Sequence, residues 1–254
     1  MNKQIIIAAN WKMNPSSLEE SKQIINNILE SSNQTNNKII ICPPFPFIYP
    51  ISQISKNSNI ILGAQDCYTE ISGAFTGATS VSMLNSLGCS YILAGHSERR
   101  NIFNETNKII NKKINLIINK GLNCILCIGE NKKEYDNGMN KEICSIQLTE
   151  CLLNINKNDL NKIIIAYEPV WAIGTGLNAT PEIAEDVHSS IRSWIRDKYS
   201  ENIAKKMCIL YGGSVNPENI NKLLQKDNIN GVLVGGASLD SEKFNKIINF
   251  KYNN

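Results

Sequence analysis

Histidine is scarce in this chain: His96 and His188 are the two imidazoles among 254 residues, which narrows any imidazole acid or base to that pair. Long apolar runs are missing. No stretch approaches the roughly 20 apolar residues of a membrane helix, and the five between Gln4 and Asn10 are too few for a signal peptide. A soluble, cytoplasmic protein with no membrane partner is therefore expected. One-sided charge is missing as well. The net charge of +3 comes from interspersed lysines and acids rather than a basic face or tail, so no nucleic-acid partner is expected, while small anionic ligands remain open. With no linker, low-complexity tract or break in composition, residues 1–254 read as one domain. The abundance of Asn, Ile and Lys is compositional bias.

Cysteine is more plentiful. Eight are scattered through the chain without a secretory signal, a pattern of free buried thiols rather than a disulfide framework. Cys124 and Cys127 have C-x-x-C spacing, but inside an apolar run residues three apart point to opposite faces, which disfavours a metal or redox pair.

Short apolar runs recur at residues 5–9, 39–42, 60–63, 91–94, 124–128, 163–167, 208–211 and 231–234. They are rich in isoleucine and largely free of polar interruptions, as strands buried on both faces of a parallel sheet are. Helical patterns lie between them. Ser16 and Ser17, each with a Glu three residues on, form overlapping capping boxes ahead of Leu18, Ile25, Ile28 and Leu29. Residues 105–120 repeat the pattern with Ile109, Ile110, Ile114, Ile117 and Ile118, closed by Gly121. Thr180-Pro181-Glu182 and Asn216-Pro217-Glu218 place a cap, a first-turn proline and an acid in the order that favours a helix start. After the second run, Pro43, Pro44, Pro46 and Pro50 permit only a short helix. Eight strands alternating with helices predict an α/β fold, a closed (β/α)8 barrel, in preference to an open doubly wound sheet.

Chemistry in such a barrel sits where the strands end. The first run is followed by Asn10, Trp11 and Lys12, the fourth by Gly95, His96, Ser97, Glu98, Arg99 and Arg100, and the sixth by Glu168. Gly212, Gly213 and Ser214 follow the seventh, and Gly235 and Gly236 the eighth. Glu168, stopped by Pro169 and followed by Gly174 and Gly176, reads as a base beside a mobile lid, or as an incidental acid in a surface turn. His96 stands between a strand end and a helix start, where free N–H groups and the helix dipole disfavour the imidazolium; a structural histidine in a turn is the alternative. His188, inside an expected helix over 181–199, reads as a surface or packing residue. Lys12 either snorkels to the rim or serves an anionic ligand. Backbone N–H groups of Gly174, Ser214, Gly235 and Gly236 could converge on a phosphate. No metal-ligand set appears at these strand ends, and no dinucleotide fingerprint follows the first run. One carboxylate, one imidazole and one cation around a phosphorylated molecule suit proton abstraction beside a carbonyl.

Nearly end to end the chain closely resembles the triosephosphate isomerase family. The resemblance is carried by Ala9-Asn10-Trp11-Lys12-Met13-Asn14, Ala94-Gly95-His96-Ser97-Glu98-Arg99-Arg100, Ala166-Tyr167-Glu168-Pro169-Val170-Trp171-Ala172-Ile173-Gly174-Thr175-Gly176, Tyr211-Gly212-Gly213-Ser214-Val215 and Gly235-Gly236-Ala237-Ser238-Leu239. It implies a TIM barrel that interconverts dihydroxyacetone phosphate and D-glyceraldehyde 3-phosphate through an enediolate, without a cofactor, in glycolysis and gluconeogenesis. Glu168 would move the proton between carbons, in a site whose acid and base are tuned by their surroundings. His96 would polarise the carbonyl, and Lys12 and Asn10 would hold the substrate. Glu98 would stand behind Lys12. A lid over residues 169–179 would close on the phosphate, with Tyr211 and Ser214 as its latch and Trp171 moving against Glu130. The resemblance also implies a homodimer whose third loop, residues 65–77 from Gln65, reaches into the neighbour and brings Thr76 near that subunit's Asn10.

Two departures stand out. Ala78 follows Gly77 where the family commonly has Glu, removing an intersubunit ion pair, and Leu177-Asn178-Ala179 closes the lid where a Lys commonly comes first. Two other readings remain at this point. One is a different phosphate-binding barrel enzyme, such as another sugar-phosphate isomerase or an aldolase using Lys12 for a Schiff base. The other is a non-catalytic barrel.

Overall fold

The computed structural model describes residues 5–172 and 179–250, and over them strand and helix alternate. The strands are β1 (Ile6–Asn10), β2 (Lys38–Cys42), β3 (Ile60–Ala64), β4 (Tyr91–Ala94), β5 (Asn123–Ile128), β6 (Ile163–Tyr167), β7 (Ile209–Tyr211) and β8 (Gly231–Val234). Each pairs in parallel with the next, and β8 pairs back onto β1 with Ile6 opposite Gly231, which closes the barrel. The helices relevant to the site are α1 (Leu18–Gln34), α2 (Phe45–Ser55), α3 (Val81–Ser86), α4 (Ser97–Asn101), α5 (Asn107–Asn119), α6 (Lys132–Asp136), α7 (Asn140–Cys151) and α8 (Pro181–Lys198).

Strand parity divides the apolar residues into two layers. Ile7, Ala9, Ile39, Ile41, Ile92, Leu126 and Ile165 face outward to the helices. Ile6, Ala8, Ile40, Tyr91, Leu93, Ile125, Cys127, Ile164, Ala166, Leu210 and Leu233 fill the barrel. Because successive side chains on a strand alternate faces, Asn10 continues the inward series of Ile6 and Ala8, and Glu168 continues that of Ile164 and Ala166. Two polar side chains thus stand over the barrel's carboxyl-terminal mouth. The same parity separates Cys124, in the outer layer, from Cys127, in the inner one. Burial pushes both thiols well above the usual range, and the eight cysteines are free.

The helix starts follow local chemistry. Ser17, Thr106 and Thr180 accept from the backbone N–H groups of Glu20, Ile109 and Ile183. Two expectations need adjustment, and the choice left open for His188 between surface and packing falls to packing. The segment after β2 forms an 11-residue helix despite its prolines. Pro46 occupies the first turn, where no N–H is needed, and Pro50 costs one internal bond while Ile48 and Ile51 remain buried. Helix α5 starts at Asn107, leaving Glu105 outside it to turn inward onto Lys113 at 2.6 Å. His188 is fully buried, with its ring edge-on to Tyr167 at 5.8 Å and Nδ1 3.3 Å from the Asn228 carbonyl.

Candidate active site

Lys12 follows β1 with φ of +56°, a left-handed conformation costly for a residue with a Cβ. Three bonds hold it. Its N–H donates to Asn10 Oδ1 at 3.0 Å, its carbonyl accepts from Gln65 Nε2 at 2.7 Å, and its Nζ lies 2.6 Å from Glu98 Oε1. Gln65 also donates to the Cys42 carbonyl, so the third loop fastens the ends of β1 and β2. An ammonium so engaged is not a desolvated amine, which argues against a Schiff-base role.

His96 caps α4: its Nδ1 accepts the Glu98 N–H at 3.2 Å. A nitrogen that accepts cannot also carry the proton, so the neutral ring is protonated on Nε2. That nitrogen lies 3.1 Å from Glu168 Oε1. The other carboxylate oxygen accepts the Ser97 N–H at 2.9 Å, and Glu168 is 2% exposed. Two glycines make room for it. A Cβ on Gly129 would sit 1.8 Å from the Glu168 carbonyl oxygen, and one on Gly212 would sit 2.9 Å from its Cγ.

Asn10, Lys12, His96, Glu168, Ser214, Gly235 and Gly236 line one cavity of about 540 Å³. Glycine backbone forms much of one wall, and the ammonium and imidazole face it from β1 and β4. Gly174 lies outside the described residues. Lys243 also lines the cavity, a second cation that strand-end reasoning passed over because it lies on a helix; it pairs with Asp240 at 2.9 Å. Among the described residues no three His, Cys, Asp or Glu side chains gather as a metal site.

Comparison with known proteins supplies the family. The sequence model for triosephosphate isomerase matches residues 5–251. The chain is 46% identical over 244 residues to the triosephosphate isomerase of Aquifex aeolicus, covering 96% of this chain and 98% of that one. It is 46% identical over 243 residues to that of Dictyoglomus thermophilum, covering 96% and 98%, and 46% identical over 242 residues to that of Treponema denticola, covering 95% and 96%. The chain belongs to the triosephosphate isomerase family.

Glu130, Trp171, Tyr211 and Thr76, also singled out by resemblance to the triosephosphate isomerase family, do not line this cavity. Glu130, fully buried after β5, accepts from Trp171 Nε1 at 2.8 Å and from the Tyr167 hydroxyl at 3.0 Å. Burial pushes its carboxyl up, and those two hydrogen bonds pull it partly back. Tyr135 on α6 stacks on Trp171 with ring centroids 4.2 Å apart, a support that no motif signalled. The buried Tyr211 hydroxyl faces the Ala179 N–H without closing a bond of normal geometry. The lid residues 173–178, including the departures Leu177 and Asn178, lie outside the described residues. Thr76 is exposed on the third loop. Ala78 lines a cavity of about 400 Å³ with Arg99, Asp66, Glu105 and Lys113. Sequence reasoning also missed the Ser97 contact, because the donor is a backbone N–H that any residue other than proline would supply.

Proposed function

We propose that Glu168, His96 and Lys12 carry out the reaction of the triosephosphate isomerase family in this chain. The chain is an isomerase that interconverts dihydroxyacetone phosphate and D-glyceraldehyde 3-phosphate. The observation supporting these roles is the single cavity that all three line, reached from the ends of β1, β4 and β6.

Glu168 leaves the Ser97 N–H, takes a proton from the carbon beside the substrate carbonyl and returns it to the neighbouring carbon. His96 donates from Nε2 to the oxygen that gains charge, and the Lys12 ammonium offsets the enediolate's negative charge. Asn10 orients the same end of the substrate. Backbone N–H groups of Gly174, Ser214, Gly235 and Gly236 receive the phosphate, and the lid over residues 169–179 excludes water during the transfer. Trp171 on Glu130 holds the lid's near end, and Tyr211 with Ser214 holds its far end. Glu98 positions Lys12. No cofactor enters these steps. The protein works as one catalytic domain in the cytoplasm and pairs as a homodimer through the loop from Gln65 to Thr76.

A coupled assay from glyceraldehyde 3-phosphate tests the reading on the wild type, Glu168→Asp and His96→Gln. Wild-type turnover no better than that of either variant would overturn the assignment.

A further inference from the structure

At the end of the barrel opposite the active site lies a cavity of about 270 Å³. It is built on strand beginnings: Ile6 of β1, Lys38 of β2, Tyr91 of β4, Asn123 of β5, Ile163 and Ile164 of β6, and Cys208 just before β7. Ile6, Tyr91 and Ile164 belong to the layer that fills the barrel, so the cavity reaches the floor of the barrel interior rather than skimming the surface. Its walls are largely apolar, completed by Leu160, Ile203 and Met207.

The charge at its mouth has one sign. Lys38, Lys157 and Lys206 line it, and no carboxylate does. The acids closest in sequence are engaged with other lysines, Asp159 with Lys162 at 2.9 Å and Glu201 with Lys205 at 3.3 Å. Lys38 Nζ donates to the Tyr91 hydroxyl at 3.5 Å, which leaves the phenolic proton available to an acceptor in the cavity. Tyr91 itself is 7% exposed, so this donor is set inside the pocket. An apolar hollow with a few converging polar groups is the usual form of a small-molecule site, and this volume lies just below the roughly 300–1,000 Å³ typical of drug-sized ligands, as suits a smaller one.

We propose that this cavity binds a small anionic amphiphile, with its carboxylate, sulfonate or phosphate group between Lys38, Lys206 and the Tyr91 hydroxyl and its apolar body against Ile6, Ile164 and Met207. The catalytic side chains all stand at the other mouth, so the site is separate from that chemistry and can be occupied while substrate turns over. Conserved architecture at this end of such barrels usually serves stability; three cations without an acid among them serve stability poorly, because they repel one another.

Calorimetric titration of the full chain with sodium octanoate tests the proposal, in buffer containing enough inorganic phosphate to occupy the active-site mouth. Expected is one saturable octanoate site per chain, with octylammonium giving no saturable heat. Lys38→Gln combined with Lys206→Gln should weaken octanoate about tenfold or more, the loss of charge-assisted bonds, while triose-phosphate turnover stays at the wild-type level and reports an intact fold. Lys157→Gln, at the exposed first position of a short 3₁₀ helix, should weaken it less. Octanoate binding that is absent, or equal in the double variant, overturns the proposal.

Discussion

Glu168 accepts from the Ser97 N–H and lies 3.1 Å from His96 Nε2, and its removal can be distinguished from theirs. Glu168→Gln keeps the size and the acceptor oxygen but cannot take a proton, so kcat should fall about 10²–10⁴-fold with KM little changed. His96→Gln removes the donor aimed at developing charge and should cost about 10²–10³-fold in kcat. Because both act in the same step, the double variant should lose far less than the product of the two, as measured by steady-state assay. A second residue-scale prediction concerns Lys113, 2% exposed beneath the third loop, with Asp66 at 2.5 Å and Glu105 at 2.6 Å. Lys113→Met strands two buried carboxylates beside Arg99 and should destabilise the fold by about 3–5 kcal/mol. Burial already pushes the Asp66 carboxyl up, against the pull of Lys113, so losing the lysine raises it further. An acid whose folded pKa lies above its unfolded one supports the fold at low pH and loses that support as pH rises through the folded value. The deficit of Lys113→Met in urea unfolding should therefore be smaller at about pH 5 than at about pH 8; a deficit that grows on acidification would overturn this account.

At the scale of elements, the strands were legible because burial on both faces leaves an uninterrupted isoleucine-rich run, and β4, β6 and β8 span the runs read at 91–94, 163–167 and 231–234. Helices were legible where a side-chain cap marks the first turn, as at Ser17 and Thr180. Helix α2 was not, because its prolines argue against a helix locally while Ile48 and Ile51 gain burial only from packing that sequence does not display. In the site, the residues at strand ends could be named from order alone. Their fastenings could not: the Ser97 N–H, the Gly129 and Gly212 clearances and the Tyr135 stack depend on distances between elements far apart in sequence. The lid's near hinge carries a prediction of its own. Glu130 is fully buried and receives Trp171 and Tyr167, and its carboxyl is pushed up by burial. The same sign applies as for Asp66: its contribution to folding is present below the unfolded carboxylate range and is lost as pH rises through the folded value. Glu130→Gln retains an acceptor oxygen for both donors and does not ionise. Its stability relative to wild type should therefore improve from about pH 4.5 to about pH 7, measured as the difference between urea midpoints. The reverse trend would show that the buried carboxylate is not strained by ionisation.

At the scale of the whole molecule, several of the large apolar side chains exposed among the described residues lie on the loops that follow β1, β3 and β4. Met13 is 93% exposed, Ile102 67%, Phe103 60%, Ile71 47% and Phe75 41%. A lone exposed Leu or Ile needs no explanation; five on three loops carry the prediction that this end pairs with a second chain. The third loop ties that surface to the chemistry, since Gln65 at its root holds the Lys12 carbonyl in the left-handed conformation that aims the ammonium. Pairing should therefore support catalysis, not merely stability. In sedimentation the wild type should run at twice the 28.3 kDa of one chain, and Phe75→Asp with Ile102→Asp should run as a monomer, since burying two carboxylates in an apolar interface costs several kcal/mol. The missing acid at Ala78 does not weaken this expectation, because an exposed ion pair contributes under about 1 kcal/mol while each buried aromatic or aliphatic anchor contributes about 1.5–3 kcal/mol. The monomer should keep its far-ultraviolet dichroism and lose about tenfold or more in kcat/KM, as Lys12 is no longer held in place by an ordered loop. If the monomer is fully active, the coupling through Gln65 is wrong even though the interface is right; if the wild type itself is monomeric, the apolar loops serve some other partner and Thr76 has no role in the site.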